Sequence, residues 1–199
     1  MNENDVEIIE KKVVYRGYFR IDRYRLRHRL FAGGWSPELV REVFERGHVA
    51  AVLPYDPASD SVVLIEQFRI GACAAKFAPW LVEIVAGVIE EGESPEEVAR
   101  RETMEETGCA VQDLAPVYTY LVSPGGTSES VNLFCGRVDA RNAGGIHGNR
   151  SEHEDIRVGT VPFAEAAAKL KSGEIANGLA LIALQWLAMN RDELRRRWR

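Results

Sequence analysis

The chain has 199 residues, of which 46% are hydrophobic and 28% are charged, so it lies in the range of globular proteins that bury a full core. Its 25 Lys and Arg against 30 Asp and Glu give a net charge of -5, which argues against a protein that binds nucleic acid through the phosphate backbone. A polyanionic substrate would need a metal ion or a local cluster of arginines.

The cysteines and the start of the chain bear on location. Cys73, Cys109 and Cys135 are odd in number, widely spaced and set among apolar or small residues, which favours reduced thiols in the core over disulfides or a zinc site. Residues 1–12 are acidic and polar, and no later run approaches the roughly 18 apolar residues of a membrane span. We therefore expect a cytoplasmic protein with no membrane partner.

Residues 1–47 are predicted to form a small antiparallel sheet. Tyr15 to Phe31 alternates in the manner of a half-buried strand, with one side formed by Arg23, Arg25, Arg27 and Arg29. A glycine turn follows, and Leu39 to Arg46 alternates again. Such a sheet is too small to be stable alone, so something must cover its apolar side, and another subunit could do so.

Residues 48–199 are predicted to form the main domain. Apolar runs indicate strands at 49–53, 62–65, 80–85, 117–122, 131–138 and 155–161. Two helices are expected at the end, from about Pro162 to Leu170 and from about Ala176 onward. A mixed sheet with helices predicts an α+β or mixed α/β fold.

The segment from Gly87 to Cys109 gives a sharper local prediction. Ser94, followed by Pro95 and by Glu97 three residues later, is a capping box with proline at the first helical position. Gly108 stands where a left-handed C-terminal cap belongs. We therefore predict a helix over about residues 95–107.

That helix concentrates negative charge on one face. Glu102, Glu105 and Glu106 are three or four residues apart and therefore repel one another. Arg101 can relieve part of this repulsion and can also reach back to Glu93 with a bidentate fork. A solvated acidic face is one interpretation of the cluster; a site for Mg²⁺, which prefers hard oxygen ligands, is the other.

The spacing decides between these interpretations. Gly87, Glu93, Arg101-Glu102, Glu105-Glu106 and Gly108 match every charged and glycine position of G-x5-E-x7-R-E-U-x-E-E-x-G-U, so the chain resembles the Nudix hydrolase family. Two apolar positions depart from the pattern, because Thr103 and Cys109 stand where a larger aliphatic residue is usual. These departures concern local packing and leave the charged positions intact.

The resemblance implies a Nudix fold, in which helices sandwich a mixed sheet, and an enzyme that uses Mg²⁺, with Mn²⁺ as a substitute. The family's metal ligands fall here on Glu102, Glu105 and Glu106, joined by the carbonyl of Ala86. Arg101 and Glu93 would orient this cluster. The implied reaction is attack of water on a diphosphate linked to another group.

A proline fifteen residues beyond Cys109, Pro124, resembles the marker of the ADP-ribose pyrophosphatase subgroup, although Pro-Gly-Gly is also an ordinary turn. The likeness to bacterial members of that subgroup extends over residues 4–9, 44–48, 63–67, 146–148, 154–158 and 183–187. It therefore covers nearly the whole chain.

This closer resemblance implies further roles. A mobile loop from Gly144 to Glu154 would carry the general base, Glu152, and one more metal ligand, Glu154. The implied catalytic set is then Glu152, Glu106, Glu102 and Arg101, and the implied substrate-binding set is Tyr18, Arg41, Arg69, Ser123 and Glu129. The subgroup is a homodimer with shared active sites, in which Tyr18 would stack on the adenine of the partner's substrate; packing within the sheet is the alternative for Tyr18.

The function implied is Mg²⁺-dependent hydrolysis of ADP-ribose to AMP and ribose 5-phosphate. One alternative keeps the fold and changes the substrate to another nucleoside diphosphate sugar, such as GDP-mannose. Another is a sensor of ADP-ribose without catalysis, against which the intact set of glutamates argues.

Overall fold

The computed structural model describes residues 2–149, 151 and 153–198. The chain divides into two compact units, one formed by residues 1–48 and 120–130, and the other by residues 49–119 and 131–199. We describe each unit by itself and call them the sheet unit and the catalytic unit. No helix in the described part of the chain is long and apolar enough to cross a membrane.

The sheet unit contains the antiparallel sheet predicted from the sequence. A short 3-10 helix, Glu3–Asp5, precedes three strands in the order β1-β2-β3. Their bounds are Val6–Arg16 for β1, Arg20–His28 for β2 and Leu39–Glu45 for β3. The arginine side of β2 is held within the unit, because Arg27 contacts Glu7 at 2.7 Å and Arg25 contacts Glu38 at 2.6 Å.

The single strand predicted from Tyr15 to Phe31 is wrong in its first third. Arg16 ends β1, residues 17–19 form a connection, and β2 starts only at Arg20, which pairs with Arg16. A Cβ at Gly17 would lie 2.4 Å from the hydroxyl of the exposed Tyr15 side chain, so a larger residue at this position would require Tyr15 to move. All of β1 is exposed, so it lacks the half-buried alternation by which sequence reveals a strand.

The catalytic unit is built on a mixed sheet. Its main path runs in the order β10-β11-β5-β4-β9-β8, with β4 and β9 parallel. The strands are β4 Val49–Asp56, β5 Ser61–Phe68, β6 Trp80–Glu83, β7 Val85–Val88, β8 Asp113–Leu121, β9 Ser130–Arg137, β10 Gly145–His147 and β11 Ile156–Pro162. The mixed α and β fold class expected from the sequence is confirmed.

Strands β4 and β5 lie at the centre of this sheet and diverge from each other beyond the end at which they pair. They pair only at Tyr55 with Val62 and at Asp56 with Ser61. Farther along, β6 pairs with β5 and β7 pairs with β4. The single strand predicted over 80–85 is therefore two strands, because at Ile84 the chain passes from pairing with β5 to pairing with β4.

Four helices complete the unit. They are α1 Ile70–Ala74, α2 Pro95–Thr107, α3 Phe163–Ser172 and α4 Gly178–Arg197. The predicted α2 is confirmed at both ends, and the last two helices lie within two residues of their expected starts. Helix α1 was not predicted, since it is short and none of its residues is buried.

The main core cluster joins α2 to the sheet. Ala99 from α2 and Cys109 just after it are buried with Val52, Ile65 and Val85. Removing these apolar groups from water fixes the helix against β4 and β7. Cys109 and Cys135 are buried free thiols as expected, but the expectation for Cys73 is wrong, since it is exposed on α1.

Candidate active site

The site lies where α2 meets β7, and local signals fix both ends of that helix. The Ser94 hydroxyl accepts the Glu97 amide at 3.3 Å, and the Glu97 carboxylate accepts the Ser94 amide at 2.9 Å. Gly108 adopts the left-handed conformation, with φ of 71°, and ends the helix. The glutamates between these caps therefore hold fixed positions along α2.

Arg101 organises the carboxylates around it. Its Nε and Nη2 atoms donate to the two oxygens of Glu93 at 3.2 and 3.3 Å, which is the bidentate contact expected from the sequence. Its Nη1 atom lies 2.8 Å from Glu102 and 3.5 Å from Glu105. Burial alone would lower the pKa of Arg101, but Glu93 and Glu102 outweigh that effect and raise it.

Gly87 lets Glu102 pack directly on strand β7. A Cβ atom at Gly87 would lie 2.0 Å from Glu102 Oε1 and 2.2 Å from its Cδ. A side chain at position 87 would therefore require Glu102 to move. The sequence motif therefore separates Gly87 and Glu102 by the number of residues that brings them into contact.

Glu106 is the most unusual carboxylate of the cluster. It is only 3% exposed, and one of its oxygens, Oε2, is buried without a hydrogen-bond partner among the described residues. The backbone amide of Ala86 donates to the side chain. Burial raises the pKa of Glu106 to about 9, helped by the charges of Glu102 and Glu154.

Glu154 reaches this cluster from the segment between β10 and β11. Its Oε1 accepts from Gln67 Nε2 at 3.5 Å, and its Oε2 accepts from the Asn149 amide at 3.1 Å. Gln67 lies on β5 and keeps a buried oxygen, Oε1, without a partner in the part of the chain that is described. Three elements thus bring carboxylate and amide oxygens together.

Arg69 supplies positive charge beside these carboxylates and lowers the pKa of Glu106 against the effect of burial. Its Nε and Nη2 atoms lie 2.9 and 2.8 Å from Glu83 Oε2. Glu83 is buried, and Asn177 donates to its other oxygen at 2.7 Å. Because Asn177 also caps α4, the position of Arg69 is tied to that helix.

The sequence did not reveal Gln67, Glu83 or Asn177. Each has a signal in retrospect. Gln67 and Glu83 are polar residues inside apolar strand runs, and a buried polar side chain requires a partner. Asn177 directly precedes a helix, so a role as helix cap is enough to explain it, and its contact with Glu83 is not predicted.

The donor set suits a hard divalent cation. The grouped carboxylates of Glu102, Glu106 and Glu154 and the orphaned oxygen on Glu106 are features that such an ion satisfies. Over residues 2–149, 151 and 153–198, no group of three or more His, Cys, Asp or Glu is arranged so that it could hold a metal ion with the side chains as they stand. Arg101 instead takes up the free oxygens of Glu102 and Glu105.

The sheet unit holds the other expected site residues. Tyr18 is 96% exposed and meets Phe19 edge to face at 4.8 Å, which leaves its outer face open. Arg41 is exposed on β3, and Ser123 is exposed in a turn. Glu129 is buried with Arg46 at 3.7 Å, a partner that the sequence did not suggest. Glu152, the expected base, lies outside the described residues.

The chain is similar to known proteins over most of its length. A model of the NUDIX domain matches residues 45–181. The ADP-ribose pyrophosphatase of Escherichia coli (strain K12) is 53% identical over 196 residues, which cover 98% of this chain and 94% of the relative. That of Haemophilus influenzae (strain ATCC 51907 / DSM 11121 / KW20 / Rd) is 43% identical, covering 100% and 93%.

More distant relatives differ in substrate. The GDP-mannose pyrophosphatase of Enterobacter sp. (strain 638) is 37% identical over 93% of this chain and 96% of the relative. A solved structure described as an ADP compounds hydrolase shares the fold, with a TM-score of 0.74 over 96% of this chain and 97% of that one, at 20% identity.

The contact between Gly87 and Glu102 yields a test that needs no substrate. Gly87→Ala should lower the free energy of unfolding by about 1–3 kcal/mol, the usual cost of overpacking. In a Glu102→Ala background the same change should cost much less, because the overlapping carboxylate is gone. Urea unfolding of the four proteins measures the coupling.

Gly159→Ala is the matched control, since a Cβ there meets nothing within 4 Å. It should change the free energy of unfolding by less than about 0.5 kcal/mol in both backgrounds. Equal costs of Gly87→Ala with and without Glu102 would mean that the carboxylate does not pack on β7.

Proposed function

Because the chain belongs to the Nudix family, we propose that it is an enzyme that hydrolyses the diphosphate of ADP-ribose to AMP and ribose 5-phosphate. The observation that carries the proposal is the buried, unpartnered oxygen of Glu106, set beside Glu102 and Glu154. The identity of 53% to an ADP-ribose pyrophosphatase over 98% of the chain supports this substrate.

We propose that Glu102, Glu105, Glu106 and Glu154, with the carbonyl of Ala86, hold Mg²⁺, for which Mn²⁺ can substitute. When bound, the ion neutralises the phosphates and lowers the pKa of the attacking water. Burial and the neighbouring carboxylates disfavour the ionised form of Glu106, and a bound cation would offset this effect. Arg101 then fixes the helix carboxylates through Glu93 and Glu102.

Arg69 is proposed to contact the non-bridging phosphate oxygens. Glu83 takes its Nε and Nη2 atoms, yet the side chain remains 43% exposed. A planar guanidinium oriented in this way retains N–H groups for a phosphate. The anchoring of Glu83 by Asn177 keeps the fork in position before substrate arrives.

The sheet unit is proposed to complete the substrate site of a partner subunit. Arg41, Ser123 and Glu129 would bind the substrate, and Tyr18 would stack on the adenine. The exposure of Tyr18 supports stacking over packing within the sheet. A cytoplasmic location fits a charged nucleotide substrate and remains part of this proposal.

Dimerisation is supported by the apolar surface of the sheet unit. Its exposed apolar side chains include Val6, Ile8, Ile9, Val13, Tyr15, Phe31 and Val40. A three-stranded sheet gains little from its own core, and clustered exposed apolar residues mark contact surfaces. We propose a homodimer in which residues 1–47 provide this contact.

A substrate panel tests the function directly. With Mg²⁺, the ratio kcat/KM should be highest for ADP-ribose, with AMP and ribose 5-phosphate as products, and lower for GDP-mannose. Glu106→Gln is the blank, because it removes one ligand charge and should abolish turnover while the protein stays folded. Preference for GDP-mannose would establish the alternative substrate, and binding of ADP-ribose without turnover would establish the sensor.

Glu152 is proposed as the general base. Glu152→Gln should lower kcat by roughly 10²–10⁴-fold with a modest effect on KM, since a carboxamide cannot accept the proton of the attacking water. Single-turnover kinetics at saturating Mg²⁺ measure the chemical step. A normal rate in this variant, with the loss at Glu105→Gln instead, would assign the base to α2.

Shared active sites predict complementation between inactive variants. Glu106→Gln in the catalytic unit and Glu129→Ala in the sheet unit should each be inactive or weak as homodimers. Co-expressed, they should recover about a quarter of the wild-type activity, because half of the dimers are mixed and each mixed dimer has one intact site.

Two variants of the catalytic unit, Glu106→Gln and Glu102→Gln, are the control pair and should recover nothing. Sedimentation of the full chain as a fully active monomer would refute the shared site.

A further inference from the structure

His147 has a specific place in the segment that carries Glu154. It ends the short strand β10, which pairs with β11. Its ring Nε2 lies 2.9 Å from the carbonyl oxygen of Gly144. A carbonyl can only accept, so Nε2 carries the hydrogen and donates it. This bond closes the start of the segment on itself.

The same ring packs on the end of α2. A Cβ at Gly108 would lie 3.1 Å from His147 Cε1, closer than ordinary contact. Gly108 already requires glycine because its φ is 71°, and the missing side chain leaves room for the ring. His147 therefore contacts the helix within one turn of Glu105 and Glu106.

Gly148 and Asn149, which follow His147, pack against Glu154. A Cβ at Gly148 would lie 2.8 Å from Glu154 Cβ and 3.0 Å from its carbonyl oxygen. Asn149 and Glu154 then bond reciprocally: the Asn149 amide donates to Glu154 Oε2 at 3.1 Å, and the Glu154 amide donates to Asn149 O at 3.2 Å. Gly148 and Asn149, the two residues that follow His147, therefore both contact Glu154 directly.

We propose that His147 is a positioning residue, which docks the Glu154 carboxylate against the C-terminal end of α2 and so sets its distance from Glu102 and Glu106. The ring makes two contacts at once: the bond to Gly144 and the packing on Gly108. The functional part of this inference rests on the proposed role of Glu154 as a metal ligand.

Three substitutions separate the hydrogen bond from the bulk of the ring. His147→Gln places an amide nitrogen near the position of Nε2 and can still donate to Gly144. His147→Leu keeps apolar bulk and loses the donor. His147→Asn has its nitrogen near the position of Nδ1, too short to reach Gly144, and repeats the test with a polar side chain. Ile146→Ala, at a neighbouring side chain that is 68% exposed, is the control.

The first readout is hydrogen exchange in protein without metal. The Asn149 and Glu154 amides should exchange about tenfold faster in His147→Leu and His147→Asn, because the segment loses its anchor, and should be unchanged in His147→Gln and Ile146→Ala. Amides of β4 and β5 should not change in any variant. This result does not depend on activity.

The second readout is the dependence of turnover on Mg²⁺. His147→Leu and His147→Asn should lower kcat or raise the Mg²⁺ concentration for half activation by about 10–100-fold, with KM nearly constant and with recovery in His147→Gln. Unchanged exchange at Asn149 and Glu154 in both variants without the donor would overturn the proposal. So would equal losses in all three variants. Absence of hydrolysis in the wild-type protein would contradict the proposed function and leave the exchange result as the test of docking.

Discussion

The catalytic unit depends on one close approach, that of the Glu102 carboxylate to the bare backbone of Gly87. It requires α2 to lie directly on β7, which the buried apolar residues of α2 achieve by packing on the sheet. Once the helix is seated, Glu106 enters the interior beside the Ala86 amide, and Arg101 spans the carboxylates that remain outside. The same helix therefore supplies both the carboxylates of the site and residues of the core.

This arrangement brings carboxylates close together and buries one of them, which is unfavourable in the absence of a bound cation. The raised pKa of Glu106 measures how strongly burial and the neighbouring carboxylates disfavour its ionised form. Arg101 and Arg69 offset only part of that field. If these carboxylates hold a cation as proposed, the site gives up stability in the metal-free protein and gains affinity for the ion, which is a common compromise at functional sites.

Sequence reasoning succeeded where structure is local and failed where it depends on distant partners. Helix α2 was predicted residue by residue because its cap, its first-turn proline and its terminal glycine lie within the segment itself. Strand β1 was missed because it is wholly exposed, and the break at Ile84 was missed because it follows from the separation of β4 and β5. Gln67 and Glu83 contact residues that are far away in the sequence, so the surrounding sequence does not indicate the partner of either side chain.

The sheet unit is made of two separate stretches of chain, residues 1–48 and 120–130. Within it, Ser128 bonds to Glu45, and the Ser130 hydroxyl lies 2.9 Å from His48. A unit assembled in this way is not inherited or transplanted by a single crossover. A chimera that takes only the first 48 residues from a relative would meet a foreign loop, and the pairs at 45 with 128 and at 48 with 130 would have to be matched by chance. Recombination among relatives should therefore preserve these distant segments together, and the proposed substrate-binding role of the sheet unit belongs to the second stretch as much as to the N-terminus.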